Sequence, residues 1–219
     1  MLVDVSQTIA QGAVYRLGTP PVEIGQGSFS NEAEGEFETT TLSLPAHTAT
    51  HIDLVYPNKR LALERMIGRG KLVDVTRIAE RQIRIADVQE QAKIEKDDIV
   101  LFRTDWSQWL GTDHYFRHPE LSLELVEWLA SRQVSLVGID AGGLGRGKRH
   151  GLYDEYLAER DIFVVENLTN LSAVPVQQFT VYCFPLRIEE IDAVPARVVI
   201  EFQLQHAGSG VQSVSRLAD

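Results

Sequence analysis

Short apolar runs rich in β-branched residues recur along the chain, each bounded by turn-forming or polar residues. Runs of this length and composition are typical of β-strands. The pattern predicts strands over residues 2–5, 39–44, 71–76, 98–102, 134–139, 162–165, 179–184 and 197–202.

Helical periodicity occurs in three of the intervals between these runs, over residues 86–92, 122–133 and 152–159. In the second of them, Leu125, Val126 and Leu129 form one apolar stripe, and Ser122 is placed to cap the helix N-terminus. Strands outnumber helices, and the helices are inserted unevenly. This order predicts a mixed α/β (α+β) fold around a largely antiparallel or mixed central sheet, and it excludes a regular βαβ winding.

Composition places the 219 residues among ordinary globular proteins, with 44% hydrophobic and 24% charged positions and no repeat or linker-like segment. One domain over residues 1–219 is the simplest interpretation. Cys183 is the single cysteine, so the chain can form no internal disulfide and no cysteine-rich zinc site.

Charge and hydropathy narrow the set of partners. The formal net charge is -10, which disfavours nucleic acid and anionic membranes, and no apolar run approaches the length of a membrane span. Asp4 stands where a signal peptide would carry positive charge. We therefore expect a cytoplasmic protein that acts on a small molecule. Alternating glutamates over residues 31–39 predict the exposed face of an edge strand or hairpin, not an ion site.

Three residue types that bind metals occur within seven positions, at His47, His51 and Asp53. Imidazole and carboxylate groups suit zinc, manganese, iron or nickel. Four extended residues would separate the two histidine Cα atoms by about 13 Å, so shared ligation requires a helical turn or a curled loop after residue 44. Two surface histidines beside a capping aspartate remain the alternative on spacing alone.

The other histidines carry weaker signals. His114 and His118 repeat the same spacing, but they lie in a polar segment without a third ligand, which predicts an exposed loop. His150 and His206 stand alone in the sequence and receive no role. Glu166 follows an apolar strand, a position from which a carboxylate either enters a site or caps the next turn.

A glycine-rich segment over residues 142–148 follows the strand that ends at Ile139 and has the spacing of a phosphate-binding loop. Arg149 occupies the position where such a loop needs a hydroxyl ligand for magnesium, and Asp140 would bring a negative charge close to the phosphates. We therefore expect a mobile surface loop, not a nucleotide site.

Taken together, these motifs resemble the cyclase family of metal-dependent hydrolases, to which bacterial kynurenine formamidase and isatin hydrolase belong. The family pattern His-x-Gly-Thr-His-x-Asp-x-Pro-x-His overlies residues 47–57. The likeness continues in order along the chain, over residues 4–6, 63–68, 103–106, 137–140, 166–171 and 185–187.

The resemblance implies a swivelling β/β/α fold with a central mixed sheet, usually in homodimers or higher homo-oligomers. It implies that His47, His51, Asp53 and Glu166 bind a divalent ion. A second family histidine falls on Asp154, which becomes the expected fifth ligand, with Glu155 beside it. Pro57 replaces the histidine that transfers protons in the family, and Ala49 and Val55 replace a glycine and a proline.

The implied activity is the opening of a small amide, lactam or lactone by water that the ion activates. Four groups remain open as replacements for the missing proton relay: Glu166, Asp154, Glu155 and the Tyr56 hydroxyl. Two imidazoles with three carboxylates favour manganese over zinc for activity, although zinc has the higher general affinity. The second hypothesis is a family member that binds a small ligand or a metal without turnover, and Pro57 is its main support.

Overall fold

The computed structural model describes residues 1–78, 81–175 and 178–203. Its strands are β1 (Leu2–Asp4), β2 (Glu23–Asn31), β3 (Gly35–Ser43), β4 (His51–Asp53), β5 (Ile67–Asp74), β6 (Ile99–Arg103), β7 (Leu136–Ile139), β8 (Phe163–Glu166), β9 (Phe179–Pro185) and β10 (Ala193–Glu201). The helices are α1 (Ile85–Gln89), α2 (Leu123–Ser131) and α3 (Lys148–Ala158), with 3-10 turns at Leu63–Arg65, Trp106–Trp109, Asp113–Arg117 and Leu171–Ala173.

A mixed sheet closes on itself and forms the centre of the fold. Its strand order is β1-β10-β4-β8-β7-β6-β5-β9, and β9 pairs again with β10. Strands β5 to β8 are parallel to their neighbours in this run, and the remaining pairs are antiparallel. The predicted mixed α+β class is therefore confirmed, with the sheet closed as a barrel.

Apolar side chains of the parallel strands alternate between two cores. Leu101 and Val165 belong to one buried cluster, whereas Val100 and Val164 belong to another, together with the apolar stripe of α2. Burial on both faces explains why these strands read as continuous apolar runs. The capping role of Ser122 is confirmed, because its hydroxyl accepts the backbone N–H of Leu125.

Strands β2 and β4 are not predicted by the hydrophobic pattern, for physical reasons. Among the described residues, strand β2 pairs only with β3. Nearly every residue of this hairpin is exposed, so β2 lacks the apolar run that marks a buried strand. Strand β4 is three residues long and carries two polar ligand candidates, His51 and Asp53. The alternating glutamates lie in the exposed β2–β3 hairpin, as expected.

Helix α3 begins at Lys148, four positions before the predicted start, which places His150 in its first turn. It packs against β8 and α2. In the part of the chain that the structure describes, no helix combines the length and the hydropathy that crossing a bilayer requires.

Candidate metal centre

The chain curls between β3 and β4, and the curl brings two histidines together. Ala49 has a φ of +53°, a left-handed conformation that reverses the backbone direction. As a result, His47 Nδ1 lies 3.2 Å from His51 Nε2. The expected curled loop is confirmed, and a straight strand is excluded.

Strand β4 aligns the next two groups. His51 and Asp53 are two residues apart on a strand, so their side chains leave the same face of the sheet. The neighbouring strand β8 runs antiparallel and pairs Glu166 directly with His51. His51 Nε2 consequently lies 3.4 Å from Asp53 Oδ1 and 3.5 Å from Glu166 Oε2, with all three side chains buried.

The ring of His51 is held in one orientation. Its Nδ1 lies 2.9 Å from the carbonyl oxygen of Ala49, which can only accept a hydrogen bond, so Nδ1 carries the hydrogen. In the neutral tautomer that this hydrogen bond selects, Nε2 offers its lone pair on the side of the carboxylates, as a metal ligand requires. A carbonyl that fixes the tautomer of an imidazole is the usual second partner of a metal-binding histidine.

His47 has a comparable arrangement, with a carboxylate in place of the carbonyl. Its Nε2 lies 3.2 Å from Asp192 Oδ2, and its Nδ1 lies 2.9 Å from Asp53 Oδ1. Asp192 also accepts the backbone N–H groups of Leu54 and Val55 through its main-chain oxygen. No signal in the sequence pointed to Asp192, because it is distant from His47 along the chain and belongs to no short motif.

Helix α3 supplies two further groups from one face. His150 and Asp154 are one turn apart, and His150 Nε2 lies 3.3 Å from Asp154 Oδ2 and 3.7 Å from Glu166 Oε1. The structure therefore brings His150, to which the sequence assigns no role, into the cluster. The four-residue spacing between His150 and Asp154 could have indicated a shared helix face. The predicted helix starts at residue 152, however, and so leaves out His150. Glu155 is exposed and lies outside the cluster.

Gly143 makes room for this arrangement. Its φ is +129°, and a Cβ at this position would lie 2.4 Å from His150 Nδ1 and 3.0 Å from Glu166 Oε1. Any side chain there would displace the imidazole or the carboxylate. The glycine-rich segment therefore forms one wall of the cluster.

The cluster divides into two overlapping groups of metal-ligand atoms. His47, His51 and Asp53 form the first, and Asp53, His150, Asp154 and Glu166 form the second, with the ligand atoms of each group within 4.8 Å of one another. Four buried oxygens of these residues have no hydrogen bond of good geometry: both of Asp53, Oδ1 of Asp154 and Oε1 of Glu166. Buried carboxylate oxygens without partners are costly unless a cation binds them, so the donor set fits a divalent ion.

Electrostatics in the cluster show the same need for positive charge. Burial raises the pKa of the Glu166 and Asp154 carboxyls well above their usual range, and the charge of Asp53 adds to the effect. Burial alone would also raise the pKa of Asp53, but the His47 and His51 imidazoles outweigh it and hold that pKa below its usual range. Three carboxylates at such short range repel one another in the absence of a cation.

Buried hydrogen bonds connect the elements that carry these ligands. Asn167 follows Glu166 and donates from its amide to the carbonyl oxygen of Ala49 at 2.9 Å. Thr50 Oγ1 donates to the carbonyl oxygen of Asn167 at 2.6 Å, and the Tyr115 hydroxyl donates to Asn167 Oδ1. The end of β8 and the histidine loop are thereby held in one rigid arrangement.

The chain turns sharply just after Asp53, where this sequence departs from the family pattern. Val55 has a φ of +66°, which a β-branched residue rarely adopts and proline cannot adopt. Pro57 is exposed in the following turn, and Tyr56 packs against the core inside the barrel. Neither residue belongs to the two ligand groups described above.

The second histidine pair has a different environment from the first. His114 is exposed and stacks on Trp106, but His118 is buried, with Nδ1 3.0 Å from the carbonyl oxygen of Pro119. The expectation of an exposed loop is wrong for His118, because the 3-10 turn Asp113–Arg117 directs it inward. Among the described residues, neither histidine belongs to a metal-ligand group.

Burial lowers the pKa of His118 to about 4, so folding requires the neutral ring. In the unfolded chain the ring takes up a proton near pH 6.5, and stability is therefore lost as the pH falls from 6.5 towards 4. Because of this shifted pKa, the free energy of unfolding should fall by about 2 kcal/mol between pH 7 and pH 5. Urea denaturation of His118→Gln should show a correspondingly smaller loss than the wild-type protein. His114→Gln is the control, and an identical loss in all three proteins would contradict the assignment.

The glycine-rich segment is only partly at the surface, contrary to expectation. Leu144 is fully buried, and Gly143 and Gly145 are buried beside it. Buried Glu120 accepts the backbone N–H of Arg146 at 2.7 Å and also pairs with the Arg149 guanidinium. These contacts anchor the segment against the body of the fold. His206 lies outside the described residues.

Comparison with known proteins agrees with this architecture. Residues 3–146 match the family model described as a putative cyclase. The kynurenine formamidase of Salinibacter ruber is 27% identical over 216 residues, which cover 91% of this chain and 96% of that protein. The chain therefore belongs to the putative cyclase family.

Solved structures extend the likeness to the fold. A potential metal-dependent hydrolase with cyclase activity aligns with a TM-score of 0.74 and 27% identity, covering 91% of this chain and 98% of that chain. An isatin hydrolase bound to the product analogue thioisatinate aligns with a TM-score of 0.77 and 20% identity, covering 91% of each chain. The second match concerns the fold alone.

Proposed function

We propose that the protein is a metal-dependent hydrolase that cleaves the C–N bond of a small amide or lactam, or opens a lactone. The kinship with a kynurenine formamidase and with a potential metal-dependent hydrolase supports this class. The observation that carries the proposal is the set of four carboxylate oxygens that are buried among three imidazoles without a hydrogen bond of good geometry. Such a set has no structural use without a cation.

The two ligand groups suggest room for two ions with Asp53 between them. His47, His51 and Asp53 would hold one, and Asp53, His150, Asp154 and Glu166 would hold the other. A divalent ion in such a site polarises a carbonyl group and lowers the pKa of water. His150 adds a third imidazole to the donor set deduced from sequence, and additional nitrogen shifts the preference from manganese towards zinc.

We assign a catalytic role to Glu166 and, in place of the catalytic role expected from sequence, a positioning role to Asp154. Both oxygens of Glu166 are buried, so one would hold the ion while the other takes a proton from attacking water and returns it to the leaving nitrogen. Asp154 Oδ2 lies close to His150 Nε2 and keeps that ring turned towards the cluster. Glu155 is no candidate, because it is exposed and belongs to neither ligand group.

A binding protein without turnover is the rival function. Exposed Pro57 cannot transfer a proton, and it is the feature that favours this alternative. A panel of formamides, lactams and lactones, assayed with manganese and with zinc, separates the two functions. We retain a small-molecule substrate, a homodimer or higher homo-oligomer, and a cytoplasmic location as parts of the proposal.

Metal content tests the proposal directly. We expect the purified protein to contain a divalent ion and to lose thermal stability in chelator, because the clustered ligands bind the ion only in the folded state. His51→Ala should reduce the bound metal to below about a tenth of the wild-type content. His114→Ala, a histidine outside the cluster, should leave the content unchanged. The site would be contradicted if the purified protein contained no metal and had the same melting temperature with and without chelator.

A further inference from the structure

The first turn of α3, which carries His150, has little stability of its own. Its N-cap is Gly147, which has no side chain to cap the helix, and the first turn contains no acidic residue. Lys148, Arg149 and His150 instead place basic groups there, where the helix dipole is already positive. Gly151 follows, and only proline is less favourable than glycine inside a helix. The position of His150 therefore depends on contacts from outside the helix.

Glu120 is fixed to the body of the fold through its backbone. Its carbonyl oxygen accepts the Ile83 N–H at 2.8 Å, and the N–H of the next residue, Leu121, donates to the Leu144 carbonyl oxygen at 2.8 Å. The Glu120 side chain is only 3% exposed. A buried carboxylate on an anchored backbone can hold a neighbouring element in place through its charged hydrogen bonds.

The carboxylate of Glu120 binds the chain directly in front of α3 and the first turn itself. Oε1 accepts the backbone N–H of Arg146 at 2.7 Å, and Oε2 lies 2.8 Å from the Arg146 guanidinium. Arg149 forms a bidentate pair with it, with Nε 3.1 Å from Oε1 and Nη2 2.8 Å from Oε2. Burial alone would raise the pKa of Glu120, but the hydrogen bonds from Arg149 and Arg146 outweigh it and hold that pKa at about 2. A negative charge thus lies beside the positive end of the helix.

His150 is sensitive to the placement of this turn. Its Nε2 lies 3.3 Å from Asp154 Oδ2 and 3.7 Å from Glu166 Oε1. Asp154 lies one turn further into α3, and Glu166 ends β8, so both are held by parts of the fold beyond the first turn. Ligand distances at a metal site hold to within about 0.2 Å. Loosening the first turn would therefore remove His150 from the donor set and leave the two carboxylates in place.

Contacts thus lead from the anchored backbone at Glu120, through Arg146 and Arg149, to His150. We propose that Glu120 is a positioning residue, whose carboxylate holds the first turn of α3 and thereby keeps His150 in place to bind a divalent ion. This inference rests on the proposed metal-dependent function. It concerns only the α3 side of the centre, because the other two imidazoles belong to the loop before β4.

Hydrogen exchange tests the first step of this inference without turnover. We would compare the full-length wild-type protein with Glu120→Gln, which keeps the shape of the side chain but removes its charge, as purified and again in chelator. Peptides covering residues 146–152 should exchange about tenfold faster in the variant under both conditions, since charged hydrogen bonds are lost there. Peptides covering β8 should exchange at wild-type rates.

Zinc titration by calorimetry tests the second step. Glu120→Gln should bind zinc about tenfold more weakly than the wild-type protein, and Glu120→Asp, which keeps the charge, should lose less. The double variant Glu120→Gln/His150→Ala should bind zinc no more weakly than His150→Ala alone, because Glu120 acts through His150. A merely structural role would add a further loss in the double variant.

Asp98→Asn is the matched control. Asp98 is another buried carboxylate that accepts a backbone N–H, from Glu95 at 2.8 Å, and lies 2.6 Å from Arg69 Nε. Among the described residues, it belongs to neither ligand group. Asp98→Asn should lower the melting temperature, yet keep the wild-type zinc affinity and the wild-type exchange rates over residues 146–152.

Three results would overturn the inference: unchanged exchange in Glu120→Gln, an equal loss of zinc affinity in Asp98→Asn, or additive losses in the double variant. A wild-type protein that binds no zinc would overturn both this inference and the proposed function. A protein that shows the expected exchange and zinc losses, but hydrolyses no amide, lactam or lactone, would support the positioning role and contradict only the hydrolase proposal.

Discussion

Replacing Asp53 by alanine is expected to remove metal binding and hydrolysis together. Asp53 is the one residue shared by the two ligand groups, and both of its oxygens are buried without a hydrogen bond of good geometry. We expect bound metal to fall below about a tenth and kcat/KM to fall by a factor on the order of 10³. Elemental analysis and a rate assay on the same preparation measure both effects.

Asp161→Ala provides the control for this substitution. Its carboxylate is 67% exposed and pairs with Lys59 away from the cluster, so metal content and rate should both stay at wild-type values. Asp53→Asn tests the charge separately from the shape, because the amide keeps the volume of the side chain but lacks the negative charge that favours a divalent ion. An Asp53→Ala protein that retains stoichiometric metal would show that the ion lies elsewhere.

Gly143→Ala should have the second largest effect. The added Cβ would fall 2.4 Å from His150 Nδ1, where no real contact can exist, so the imidazole must leave its position between Asp154 and Glu166. We expect kcat/KM to fall by about 10² and metal affinity by about tenfold or more, while the fold is kept. Kinetics, metal titration and circular dichroism together measure these changes.

Gly147→Ala separates the steric effect from backbone strain. Gly147 also has a positive φ, +56°, but a Cβ there would meet no atom within 4 Å. Its ψ of -128° lies in a region that almost only glycine adopts, so alanine should cost about 1–3 kcal/mol of stability and leave metal affinity intact. If both alanine variants lose metal to the same extent, strain in the segment matters more than the space for His150.

Local signals in the sequence determined most of the fold and the first half of the site. The parallel strands were predictable because burial on both faces leaves continuous apolar runs, and α2 because its apolar stripe follows a serine that caps it. One short segment contains His47, His51 and Asp53, and both their spacing and the family resemblance indicate metal ligands there. The strand position of Glu166 left site entry and turn capping equally open, and only the family resemblance implied that it is a ligand.

Only the tertiary structure decided how the second half of the site is built. Asp192 reaches His47 across 145 positions, and His150 enters the cluster because α3 begins early and Gly143 leaves room for the ring. Barrel closure likewise depends on β9 pairing with both β5 and β10. Sequence periodicity records which side of an element is buried, but contacts between distant segments depend on packing in three dimensions, and no local pattern encodes them.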